Sequence, residues 1–326
     1  MAFAKPNVDQ KPQVLPLSIG PRLRLSERFA LAYFAYVAIV ATIRIHRPWR
    51  AWLLLAAVAA TSLLLSRIAN DQEFTLGLRK LNGKDHLRDW IPLAFALAAF
   101  REMDWFTPAV RDRHLENQWI LWDRWLLQDL HLRAALEALG TLIPNVLELC
   151  YLLVYGVAPI VLAIVILNHP SRREVDRLWL AYFAGTLTCY GLFPYFPSDP
   201  PRVVFPAQDL PLVTGVFRHW NLAILGNFGI HVSVFPSAHV GSALAGAWAL
   251  FALLPAKRWI GRSLAIYGIA VAIATIYGRY HYAADALAGI AMSGWAILTL
   301  WLSRDRVDPS APARQQDQGT SVRPFS

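Results

Sequence analysis

The chain has 326 residues, of which 56% are hydrophobic and only 16% charged, with 13 Trp and a formal net charge of +9. A soluble domain carries about 25% charged residues, so this balance excludes an ordinary soluble protein and points to an integral membrane protein. The positive charge does not indicate nucleic acid, because the Lys and Arg form short clusters between apolar runs rather than basic stripes with interleaved aromatics.

In chain order, a polar basic leader (1–28) precedes apolar runs at 29–43, 51–66 and 90–106, the last interrupted by Pro92, Arg101, Glu102 and Asp104. The first run reads as an uncleaved signal anchor, since no cleavable signal peptide precedes it. Residues 107–144 mix Trp with charge and read as amphipathic helices lying on the outer membrane surface. Five further apolar runs follow at 145–167, 178–196, 240–254, 263–277 and 283–302, separated after the second by a loop, 197–239, rich in Pro, Gly, Asn and His. The tail 303–326 has little apolar content and is expected to be disordered.

The fold expected is therefore all-α: a polytopic membrane helix bundle of about eight spans, with six to eight as the range. It divides into the leader 1–28, N-terminal membrane helices 29–106, surface helices 107–144, a membrane core 145–302 that carries the polar motifs, and the tail 303–326. Most of the Lys and Arg fall in 1–28, 67–89, 168–177, 255–262 and 303–326. That asymmetry places both termini in the cytoplasm, and the Ala- and Arg-rich usage suggests a bacterial inner membrane. Cys150 and Cys189 lie inside apolar runs and read as packing residues. Glu148 is an acid inside the fourth run whose partner the sequence does not name.

Three polar clusters fall on the non-cytoplasmic side in this topology: FPSDPPR (196–202), FPSAHVGSALAG (235–246) and GRYHYAADALAG (278–289). In the third, His281 and Asp285 are four apart and share a helix face. A carboxylate there accepts the Nδ1 proton and leaves Nε2 as nucleophile or base. In the second, Pro236 and Ser237 read as N1 and cap of a helix. Its free N–H groups suit a phosphate, and His239 stands in its first turn. In the first, Arg202 offers a guanidinium for phosphate oxygens, and Arg279 a second.

Taken singly, each cluster also fits a capped helix or an interfacial pair. Together they supply a nucleophile, an acid for a leaving oxygen and cations for equatorial oxygens, which are the parts that phosphoryl transfer uses. No cofactor is called for: no HxxxH, HExxH or HxxHH spacing supports a metal. Neither a GxSxG elbow nor a Walker loop nor GxGxxG is present.

At these residues the sequence resembles the type 2 phosphatidic acid phosphatase superfamily, and within it the branch containing inositol phosphorylceramide synthase. The superfamily pattern is K-x6-R-P, then P-S-G-H, then S-R-x5-H-x3-D. Pro236, Ser237 and His239 match the second motif, with Ala238 in place of Gly; His281 and Asp285 match the third; Arg202 is the arginine of the first. Tyr195 stands where the first-motif lysine would be, Val203 follows Arg202 in place of Pro, and Thr275 stands six residues before His281 in place of Arg. The resemblance covers about residues 178–302.

The resemblance implies a ping-pong reaction on a lipid phosphate ester. His281 attacks phosphorus and forms a phosphohistidine, Asp285 orients it, and His239 protonates the leaving group and then activates the acceptor. Arg202, Arg279 and the backbone at Ser237 hold the phosphate oxygens. The acceptor is water for a phosphatase or a hydroxyl for a head-group transferase, and Arg218, His219, Asn221, Asn227 and His231 in the loop are candidate head-group contacts. The partners expected are a lipid phosphate in the membrane and a hydroxyl acceptor, with no nucleic acid. A catalytically silent lipid carrier or flippase on the same helices, or a scaffold using 107–144, are the readings from other classes.

Overall fold

The computed structural model describes residues 23–68, 83–168, 172–206 and 209–304. The expectations for residues 1–22 and 305–326 lie outside the described residues. Among those described there is helix and no strand. Every apolar run of the sequence is helical: α1 (Leu25–Arg44), α2 (Trp49–Ile68), α3 (Gly83–Glu102), α4 (His114–Arg124), α5 (Leu132–Ala138), α6 (Leu142–Leu153), α7 (Val157–Asn168), α8 (Arg172–Leu192), α9 (Pro201–Val204), α10 (Val216–Phe228), α11 (Ala238–Leu253), α12 (Arg258–Tyr277) and α13 (Ala283–Leu302).

Among the described residues, five stretches are long and apolar enough to cross a membrane: Leu25–Arg44, Trp49–Arg67, Leu142–Asn168, Pro255–Tyr277 and Ala283–Leu302. A shorter helix, α11, is also apolar but runs only from Ala238 to Leu253. The stretch Leu142–Asn168 contains α6 and α7, joined through a 3-10 turn at Val154–Gly156. The protein is a multi-pass membrane protein.

α8 opens on the charged run RREVDR, yet from Leu178 to Leu187 it is buried throughout. It forms the axis on which α11, α13 and α1 pack, and α12 closes against α11. Small residues make these approaches close. A Cβ at Gly185 would stand 2.5 Å from the Ala245 Cβ, and one at Gly289 would stand 2.4 Å from the Ser237 carbonyl oxygen and 3.1 Å from the Val240 Cβ. Gly289 thus sets the distance from α13 to the first turn of α11. Gly289→Ala is expected to cost about 1–3 kcal/mol by overpacking and to lower activity at least tenfold, because it pushes the start of α11 away. Gly294, with nothing within 4 Å of its Cβ position, is the control. Gly294→Ala leaves the midpoint of thermal unfolding in detergent and the turnover rate unchanged.

At one end of the bundle, Arg24 pairs with Asp89 at 2.6 Å and Arg88 with Glu27 at 2.7 Å. Asp176 accepts the N–H groups of Leu25 and Ser26, so α1, α3 and α8 are tied together there. The other end carries the three polar clusters. Two departures from the sequence reading occur at that end. The stretch 197–239 is not a plain loop but contains α9 and α10. The surface helix α4 is not free either: Glu116, Trp119, Ile120 and Asp123 are buried against the loops beneath it.

Candidate active site

The three polar clusters are hydrogen-bonded to one another. The Ser237 N–H donates to the Asp285 carbonyl at 2.9 Å, joining the second cluster to the third. The Arg202 N–H donates to the Arg279 carbonyl at 3.2 Å, joining the first to the third. Ser198 and Ser233 hydroxyls meet at 3.1 Å across the intervening segment. The six candidate residues His281, His239, Asp285, Arg202, Arg279 and Ser237 therefore lie around one short loop, 278–282, between α12 and α13.

That loop is shaped by backbone bonds. The Thr275 carbonyl accepts both the Tyr280 N–H at 2.9 Å and the His281 N–H at 3.1 Å, and Arg279 between them adopts a left-handed φ of 62°. Thr275 stands where the family pattern has arginine; here its hydroxyl donates to the Ala272 carbonyl and it builds the loop through its backbone. Tyr195, at the lysine position of the first motif, carries the guanidinium of Arg44, the last residue of α1, over its ring at 4.5 Å.

His281 Nδ1 lies 2.9 Å from the Val234 carbonyl oxygen and 3.2 Å from Asp285 Oδ2. A carbonyl oxygen can only accept, so Nδ1 carries the proton and donates it. In the neutral ring the lone pair is then on Nε2. Asp285 Oδ2 also accepts the Tyr282 N–H at 2.9 Å, which fixes the carboxylate at the start of α13. Burial, reinforced by the Arg202 charge, lowers the His281 pKa to about 3, so the ring is neutral at physiological pH. The sequence named the carboxylate partner but not the Val234 carbonyl, which no side-chain pattern encodes.

His239 is the second residue of α11, and its ring centroid is 5.7 Å from that of His281, nearly perpendicular to it. Tyr151 and Tyr155 wall it from the other side at 5.2 and 5.4 Å, both edge-on. Ser237 is the N-cap, as expected, but its hydroxyl makes no cap bond and is buried without a partner. Pro236 is not at N1; it precedes the cap, in a cis peptide bond with Phe235. The helix start still presents its first-turn N–H groups beside His239, as every helix N-terminus does.

The two arginines differ. The Arg202 guanidinium stands 5.5 Å over the Tyr280 ring, with Nη1 3.5 Å from the Tyr280 carbonyl. Arg279 is fully buried and pairs through Nη1 with Asp123 of α4 at 2.5 Å. Its Nε and Nη2 have no partner. Asp123 Oδ1 also accepts the Ala283 N–H at 2.8 Å, and Glu116 Oε1 accepts the Asp199 N–H at 3.0 Å. These two acids were missed by sequence reasoning, although a signal existed: Glu116 and Asp123 are seven apart, on the same face as Trp119 and Ile120.

Glu148 also gains its partners. Its carboxylate accepts Arg218 Nη1 at 2.8 Å, Asn221 Nδ2 at 2.8 Å and the Tyr280 hydroxyl at 2.5 Å. Arg218 and Asn221 are therefore buried supports of the loop 278–282 rather than head-group contacts, whereas the His231 side chain is largely exposed. Among the described residues, no group of three or more His, Cys, Asp or Glu is placed to hold a metal ion.

The geometry thus offers a neutral imidazole with an oriented lone pair, a second imidazole at a helix start, and two guanidinium groups, Arg279 on the loop 278–282 and Arg202 on α9 hydrogen-bonded to it. The PAP2 superfamily model matches residues 117–299, which contain all six candidate residues. No curated protein and no solved structure matches the chain. The match spans more than half of the sequence, from α4 to α13, and on that ground the chain belongs to the PAP2 superfamily, an enzyme of the lipid phosphate phosphatase or phosphotransferase type.

Proposed function

We propose that the protein transfers a phosphoryl or phosphodiester group from a membrane lipid through a phosphohistidine at His281. His281 Nε2 attacks phosphorus, forming the P–N bond as the P–O bond to the leaving group breaks. Burial, with His281 beside it, holds the His239 pKa down to about 3, and the negative charge of a bound phosphate ester raises it again. Protonated in that complex, His239 gives its proton to the departing oxygen and is left neutral. It then takes a proton from the acceptor, whose oxygen displaces His281 and restores the enzyme. Asp285 steadies the positive charge that builds on the His281 ring. Arg202, Arg279 and the N–H groups at the start of α11 hold the phosphoryl oxygens. The observation that carries this reading is the Val234–Nδ1 bond, because it leaves Nε2 unprotonated beside a second imidazole.

We place the site on the non-cytoplasmic face of a bacterial inner membrane, by the distribution of Lys and Arg. The acceptor is a hydroxyl for a head-group transferase of the inositolphosphotransferase kind, or water for a phosphatase. The Pro200-Pro201-Arg202 form of the first motif and Ala238 in the second favour the first. The experiment is turnover of a panel of labelled phospholipids and prenyl phosphates in detergent, with and without candidate hydroxyl acceptors. Release of phosphate or head group that persists in EDTA supports a metal-independent histidine enzyme, and the product identifies the acceptor. A protein that binds these lipids and turns over none of them is a carrier, and the proposal fails.

A further inference from the structure

Arg279 is held in an unusual way. Its backbone is left-handed, its side chain is fully buried, and only Nη1 is engaged, by Asp123. Nε and Nη2 lie together on the opposite edge of the guanidinium, and both are buried without a partner. Two parallel N–H groups on one edge match two oxygens of one phosphate. A buried polar edge left bare in the resting protein calls for an occupant, since nearly all such groups are paired in folded proteins.

Asp123 reaches this loop from outside the membrane core. It lies on α4, some 160 residues away in sequence from Ala283, whose N–H it accepts with its other oxygen. One carboxylate therefore fixes the residue two before His281 and the residue two after it. Trp119, stacked on Phe235 at 5.0 Å and packed against Tyr282 at 5.6 Å, seats the same helix on both catalytic segments.

We propose that Asp123 is a positioning residue: by pinning Nη1 of Arg279 it turns the free Nε–Nη2 edge toward the phosphoryl oxygens of the substrate at His281. The amphipathic helix α4 is then a part of the active site and not a membrane-surface accessory. This rests on the reading of His281 as the phosphoryl-accepting residue.

The test is a double-mutant cycle of Asp123→Asn and Arg279→Lys in the full chain, reading kcat, KM and inhibition by orthovanadate, with His281→Ala as reference. Each single substitution is expected to raise KM and to weaken vanadate inhibition about 10- to 100-fold, with a smaller fall in kcat. The double variant is expected to be no worse than the weaker single, because both act through the same edge. Vanadate inhibition unchanged in Arg279→Lys, or losses that multiply in the double variant, overturns the proposal. A purely architectural Asp123 lowers the unfolding midpoint and leaves vanadate inhibition unchanged, which overturns it too. If Asp123→Asn does not fold, Asp123→Glu, which keeps the charge on a longer arm, takes its place with the same expected pattern. Turnover surviving in His281→Ala sinks the underlying reading; an inactive His281→Ala with unchanged vanadate inhibition in the other variants sinks this inference alone.

Discussion

His281→Ala abolishes turnover, with a loss of at least about a thousandfold, because it removes the atom that bonds to phosphorus. His239→Ala behaves differently. An alkyl lipid leaving group needs a proton, so its release slows about 100- to 10,000-fold without the general acid. An activated aryl phosphate, whose leaving oxygen is stable as an anion, restores much of the first half-reaction in His239→Ala and none in His281→Ala. If the aryl ester rescues both variants equally, the two imidazoles do not have these separate roles. The same residue leaves a mark on stability. The His281 pKa is depressed to about 3 in the folded protein, below an unfolded value near 6.5. Its contribution is therefore present above pH 6.5 and is lost as pH falls through the window between 6.5 and 3. By pH 5 the loss reaches about 2 kcal/mol. Thermal unfolding in detergent at pH 7 and pH 5 checks this: wild type loses more on acidification than His281→Ala.

The elements most legible in the sequence were those whose signal is local. Every apolar run became a helix, because some fifteen or more consecutive apolar residues have few other ways to satisfy their backbone in hydrocarbon. The His281–Asp285 pair was legible from its spacing, but the two do not share a helix face: His281 stands in the loop just before the Tyr282 cap, and Asp285 reaches back to it from the first turn of α13. Most of the run 178–196 became the inner part of α8, whose charged opening RREVDR lowers the mean hydropathy of the whole helix; its place at the centre of the bundle, which the run alone does not specify, explains its burial on all sides. The amphipathic pattern of α4 was legible, but its buried face was read toward lipid. What decides is the acid on that face: Glu116 and Asp123 are costly against hydrocarbon, and both meet loop N–H groups or a guanidinium in the folded chain. Partners so far apart in sequence leave no local pattern. The Val234 carbonyl is the extreme case, a backbone group that fixes the tautomer of His281 from 47 positions away.

Glu148 carries the other large expected effect. Glu148→Ala leaves the Arg218 guanidinium, the Asn221 amide and the Tyr280 hydroxyl without their shared acceptor, at a site where all four residues are buried. Removing one partner of a buried ion pair costs about 3–5 kcal/mol, a large fraction of the stability of most domains. Thermal unfolding in detergent reads that loss directly. Replacing the pair together, as Glu148→Leu with Arg218→Met, removes the orphaned charge and is expected to recover most of the midpoint. Activity is not expected to recover with it. The Tyr280 hydroxyl still lacks its acceptor, and the Gly278 carbonyl still lacks the Arg218 Nη1 that lies 3.2 Å away. Tyr280 stacks on Tyr151 at 4.0 Å, lies beneath Arg202 and immediately precedes His281, so its ring sets where both the cation and the nucleophile stand. A double variant that regains stability but stays at least tenfold slow assigns the network to loop placement. One that regains both assigns it to folding alone, and the intramembrane acid then needs no part in the chemistry.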